Sequence, residues 1–144
     1  MPPKKTMRLS GSMPAAITGL GAGMDSLNRI VFFGGINPAA STPLLTGFVY
    51  TPAAGQTTTI ANKHFAVQSF AFCADTQHRL YSIGGSTNAS LTGAGSVGVE
   101  RYDGVANTWT TLAPMPVSRV QANAKLCTAK CLFAMLETCP AAGV

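Results

Sequence analysis

LYSIGGSTNASLTGAGSVGVERYDGVANTWTTLAPM, residues 80–115, decides the fold. A short apolar run stops at Gly84-Gly85 and a Ser/Gly-rich loop follows. An alternating segment then ends at Tyr102-Asp103, and a tight turn leads to a segment carrying Trp109. The order is strand, loop, strand, turn, strand, with no helical period in it. Paired glycines at a strand end predict a backbone with positive φ or a close backbone approach, neither of which tolerates a Cβ. Asp103 is expected to accept backbone hydrogen bonds in the turn before Trp109.

The same plan recurs upstream. Gly34-Gly35 lies 50 residues before Gly84-Gly85, Tyr50 lies 52 before Tyr102, and Met13-Pro14 lies 102 before Met115-Pro116. A period near 50 with paired glycines resembles the kelch repeat, whose units are blades of a β-propeller. The unit from Leu80 to Arg119 matches in detail, with GG, Tyr-Asp, Trp seven residues after Tyr, then Met-Pro-x-x-Arg. In the earlier unit Thr57 stands where Trp is expected and Ile17 where Arg is. A third unit starts near Met115 but has Leu136-Glu137 in place of GG.

The resemblance implies an all-β chain of antiparallel four-stranded blades forming an incomplete propeller without a closed ring. Residues 1–12 read as a basic, mobile lead-in. Residues 13–126 read as blades, with repeats at 13–62 and 63–114 and a third from about 115, and 127–144 as a degenerate C-terminal segment. A closed propeller has about four blades or more, so about two and a half repeats imply a fragment, or a ring completed by other copies or another chain. Self-association through exposed blade faces is implied as well.

Within the blades, Ala15–Gly23 and Phe65–Cys73 are expected as the small-residue innermost strands. Arg29–Phe33 and Arg79–Ile83 follow as second strands, Gly47–Thr51 and Val97–Tyr102 as third, and Thr57–Ile60 and Thr108–Leu112 as fourth. Residues 30–33, IVFF, form a continuous apolar run that predicts burial on both faces. Arg119–Leu126 alternates like a strand, whereas the segment after Leu126 reads either as strand or as helix.

Apolar residues make up 47% of the chain and charged residues 10%, which argues against disorder. No apolar run reaches 18 residues and the N-terminus has no signal-peptide core, so neither membrane nor secretion is expected. Localisation is therefore read as intracellular, in the cytoplasm. The net charge of +5 comes from scattered cations rather than a stripe, which argues against nucleic acid as a partner. Cys127, Cys131 and Cys139 lie in the last 18 residues with no histidine near, a poor zinc pattern. The run from Gly93 to Gly98 matches G-x-G-x-x-G, but a β-patterned VERYD follows it where a nucleotide site needs a helix.

The five acids, Asp25, Asp75, Glu100, Asp103 and Glu137, build no evident acid/base pair, and His64 and His78 read as solvated. No enzyme, cofactor or metal is expected from the residues. The resemblance assigns structural roles to Gly34, Gly35, Tyr50, Gly84, Gly85, Tyr102, Asp103, Trp109, Met115, Pro116 and Arg119, the aromatics packing between blades. It implies a protein-interaction module that binds another protein through loops 36–46, 86–96, 61–63 and 114–118. Ser86, Thr87, Asn88, Ser90 and Gln121 are the candidate contacts. The alternatives are a fragment of a kelch-like propeller enzyme, of copper radical oxidase or sugar mutarotase type, and a truncated product with no function of its own.

Overall fold

The computed structural model describes residues 12–91 and 95–120. The candidate contact Gln121 and the segment 127–144 lie outside them. Eight strands form two four-stranded sheets, each an antiparallel meander in chain order. Blade 1 holds β1 (Gly21–Met24), β2 (Ile30–Phe33), β3 (Gly47–Thr51) and β4 (Gln56–Thr59). Blade 2 holds β5 (Ala71–Ala74), β6 (Leu80–Ile83), β7 (Val99–Asp103) and β8 (Thr108–Thr111). The fold is all-β, with no helix among the described residues and no closed ring.

The innermost strands are shorter than their composition suggests. Thr18 and Gln68 bridge to Ile36 and Ser86, but Gly19 and Ser69 then take φ of +62° and +49°. A left-handed residue breaks the extended path, so each regular strand starts only at residue 21 or 71. The small residues that follow have a packing reason. A Cβ on Gly21 would lie 2.7 Å from the Phe70 ring, and one on Gly23 would lie 2.8 Å from Leu80. Blade 2 seats its large side chains in the space those glycines leave.

Strand alternation gives each blade two faces. The front of blade 1 carries Val31, Phe33 and Val49, all buried against the back of blade 2, which presents Leu80, Ser82, Glu100, Tyr102 and Trp109. Burial of IVFF on both faces does not hold. Ile30 is 37% exposed and Met24 51%, because they lie with Phe32, Phe48 and Tyr50 on the back of blade 1, facing away from blade 2. On the front of blade 2, Ala71, Cys73, Ile83 and Val99 form a second small core with Tyr81, Leu112 and Met115 packed on it.

Two local devices repeat with the blades. Gly34, Gly35, Gly84 and Gly85 have φ of +63°, +81°, +66° and +99°. A Cβ on Gly85 would in addition meet the Gln68 carbonyl at 2.9 Å. The other device is the β1–β2 and β5–β6 turn. Asp25 Oδ1 accepts from the amides of Leu27 and Arg29 while its Oδ2 accepts from Arg29 Nε, and Asp75 does the same with Gln77 and Arg79. Asn28 and His78 fill the left-handed corner of these turns, both at φ +56°. The motif D-x-x-[N/H]-R at Asp25 and Asp75, 50 residues apart, is thus a turn with its own ion pair.

Gly85→Ala should destabilise the chain by roughly 2 kcal/mol or more, since strain and overlap add. Gly95→Ala, at a residue with no positive φ but with the Arg119 backbone 3.0 Å from the added Cβ, should cost less in urea melts, and equal shifts would contradict the account. For Asp75, burial pushes the carboxyl up, but bonds from the Arg79 backbone and side chain, the Tyr81 hydroxyl and the Gln77 amide hold it below the usual value. A carboxylate depressed in the folded state stabilises fully above its unfolded pKa, and that stability is lost as pH falls through the folded pKa. Asp75→Asn should therefore lower stability at neutral pH and flatten the loss as pH falls below the ordinary carboxylate range; an unchanged acid limb would contradict this.

Candidate functional site

Side chains that sequence reasoning singled out converge at the joint between the blades. Tyr102 is fully buried and Trp109 is 7% exposed. Phe33 stacks on Phe70 at 5.5 Å, and Trp109 lies 5.1 Å from Phe33, edge-on, and 5.1 Å from Tyr102. The polar edges of both aromatics are engaged. Trp109 Nε1 donates to the Ala61 carbonyl at 3.0 Å, and the Tyr102 hydroxyl donates to Asn107 Oδ1, which also accepts from the Ala61 amide. These rings fasten the connector between blades to the back of blade 2 and leave no face for stacking a sugar or base. Arg29 adds a latch at the rim, its Nη2 donating to the Gly104 carbonyl at 2.7 Å.

At the centre of the joint lies a group that sequence reasoning missed. The Lys63 side chain has no exposed surface, and its Nζ sits 2.9 Å from Glu100 Oε2, beside the Ser82 hydroxyl. The ammonium also lies 4.6, 5.1 and 5.6 Å from the ring centres of Trp109, Phe70 and Phe33, within cation–π range of all three. Glu100 is 1% exposed, and its Oε1 accepts from the His64 amide at 2.6 Å and lies 2.9 Å from His64 Nδ1. Burial pushes the Lys63 pKa down and outweighs the opposing pull of Glu100. His64, expected to be merely solvated, keeps half its side chain exposed but is tied to this carboxylate. The available signal was positional, because Lys63 fills the place in its repeat that Met13 and Met115 fill in theirs.

The loop candidates divide into framework and surface. Ser86 is fully buried, its hydroxyl bonded within the loop to Asn88 at 3.0 Å, so it shapes the loop and does not face a partner. Gln68 Nε2 donates to the carbonyls of Asn88 and Ala89 at 2.7 and 3.0 Å and fixes the loop from beneath. Thr87 and Ser90 are exposed and Asn88 is partly buried. Lys63, placed by sequence in a binding loop, is instead interior. Thr92, Gly93 and Ala94 lie outside the described residues; Gly95 and Ser96 bridge to Ser86 and Arg119, and Gly98 leads into β7 rather than a helix.

The remaining motif residues serve through the backbone or the turn. Asp103 Oδ1 accepts from the amides of Val105 and Ala106. The Arg119 carbonyl accepts from the Gly85 amide at 2.8 Å while the residue itself is exposed, as is Pro116. Met115 packs on the front of blade 2. Among the described residues no group of three or more His, Cys, Asp or Glu is placed to hold a metal ion, and no helix is long and apolar enough to cross a membrane.

The model of the family described as "Kelch motif" matches residues 76–116. No curated protein sequence matches the chain significantly. Among solved structures, the chain is similar to a fungal alcohol oxidase with catalytic diversity among the AA5 family, in complex with copper. The TM-score is 0.63 at 17% identity, covering 74% of this chain and 24% of that one. This chain thus spans about a quarter of that protein's length, and at such identity the likeness shows the fold alone. Residues 76–116 are a kelch motif, and the chain around them has the fold of kelch-type propeller blades.

Proposed function

We propose that the chain works as a protein-interaction module, holding another protein through the loops that join the second and third strands of each blade. One observation carries this reading. The two loop bases are stapled to two adjacent residues, with the Gly35 amide donating to the Val67 carbonyl at 2.9 Å and Gln68 pairing with Ser86 in both directions at 3.0 and 2.8 Å. Loops 36–46 and 86–96 therefore leave the same end of the two sheets on one rigid base. Their exposed residues include Pro38, Ala39, Ser41, Thr42, Thr87, Ala89 and Ser90, small and polar groups suited to adaptable hydrogen bonding. The cations Arg29 and Arg79 are bound to Asp25 and Asp75 and Lys63 to Glu100, which supports a protein rather than a nucleic acid as the partner. We place the module in the cytoplasm.

The similarity to an alcohol oxidase in complex with copper motivates an enzymatic alternative. The described residues do not fit that metal, because no group of three or more His, Cys, Asp or Glu converges among them. A photo-cross-linking residue at Ala39 or at Thr87 should capture the same protein in cells. The same residue at Val105, 71% exposed at the opposite end of blade 2, should not. Equal capture from Val105, or stoichiometric copper in the purified chain, would overturn the proposal.

A further inference from the structure

Three positions of the repeat change chemistry together. The connector residue is Met13 before blade 1, Lys63 before blade 2 and Met115 after it. On the back faces, Phe32 of blade 1 becomes Ser82 of blade 2, 50 residues on, and Phe48 becomes Glu100, 52 residues on. Lys63 and Met115 are anchored alike, their amides donating to the carbonyls of Leu45 and Val97 at 2.9 Å. Each connector side chain lies on the front of the blade it leaves, Lys63 over the Phe33 ring and Met115 on the second small core. The back of blade 2 is thus shaped for an ammonium, and that of blade 1 for an apolar connector.

A buried ion pair is a poor source of stability compared with well-packed apolar groups, but a buried charge without its partner is strongly penalised. A methionine-connected front docked on the back of blade 2 would strand the Glu100 carboxylate. The Lys63 front docked on Phe32 and Phe48 would strand the ammonium. Both mismatches are open to this chain, because every blade face is built on the same strand plan. We propose that Lys63, Ser82 and Glu100 form a pairing code, by which the back of blade 2 accepts only a front face that brings a lysine, that of blade 1, and rejects methionine-connected fronts such as its own.

The code can be tested by complementation between chains. Lys63→Met and Glu100→Leu should each abolish the single cooperative melt expected of the parent, since the first leaves the buried Glu100 carboxylate with only the half-exposed His64 beside it and the second leaves the Lys63 ammonium with no carboxylate. Refolded together in equal amounts, the two variants should exchange blades. One joint then regains Lys63 with Glu100 and the other becomes apolar on both sides, giving a cooperative melt and a species of twice the 14.8 kDa chain mass. A mixture that behaves as the sum of its parts, or single variants that melt like the parent, would overturn the proposal. The double variant in one chain covers the case in which the singles do not fold. It should regain a cooperative transition but run as several masses in light scattering, because a methionine connector now fits every face. A double variant that stays one monodisperse species would show that the code selects nothing.

Discussion

The ammonium group of Lys63, fully buried between a carboxylate and three aromatic rings, is the constraint on which the two-blade arrangement depends. The chain leaving blade 1 must turn back so that this side chain reaches Glu100 on β7. The path also brings the Ala61 amide and carbonyl to Asn107 and Trp109. Once that connector is in place, the front of blade 1 has one seat on the back of blade 2. Gly21 and Gly23 in β1 give the clearance for it, since a Cβ at either would overlap Phe70 or Leu80.

Stability and uniqueness come from different groups at this joint. The favourable burial comes from Val31, Phe33, Val49, Ile60, Val67, Phe70, Leu80, Tyr102 and Trp109, one continuous cluster spanning both sheets. Large aromatics dominate such contacts by area and by ring geometry. The Lys63–Glu100 pair adds little to that sum, because taking two ions out of water offsets most of their attraction. It determines instead which arrangement of the same apolar surfaces is tolerated. The Asp25–Arg29 turn works similarly at the rim, satisfying its own ion pair while the guanidinium reaches the Gly104 carbonyl of the other blade.

Much of the fold is legible in the order of residues because its punctuation is local. The glycine pairs at 34–35 and 84–85 adopt the positive φ that their place at a strand end suggests, and Asp103 caps the turn before Trp109. β3 runs over the expected Gly47–Thr51, and the other strands differ mainly at their ends. The first strand of each blade is shorter than its composition suggests because Gly19 and Ser69 both turn left-handed, and Ser69, unlike Gly19, gives no sign of it in the sequence. The joint was hardest to foresee. Lys63 and Glu100 are far apart in the chain and look like ordinary surface charges, and only their places in the repeat, against Met13 and Phe48, mark them as interior. Ser86 escaped for a related reason, since a serine in a Ser/Thr-rich loop suggests exposure until Gln68 and Asn88 are seen to enclose it.

Trp109 is the single tryptophan of the chain, so its emission reports on the joint without interference. If its ring lies between the blades, 7% exposed and 4.6 Å from the Lys63 ammonium, fluorescence should be blue-shifted and almost unaffected by iodide. It should shift to the red in one step as the chain unfolds in urea. Red-shifted emission, freely quenched by iodide in a chain whose circular dichroism shows folded β-structure, would mean that the blades do not meet as described.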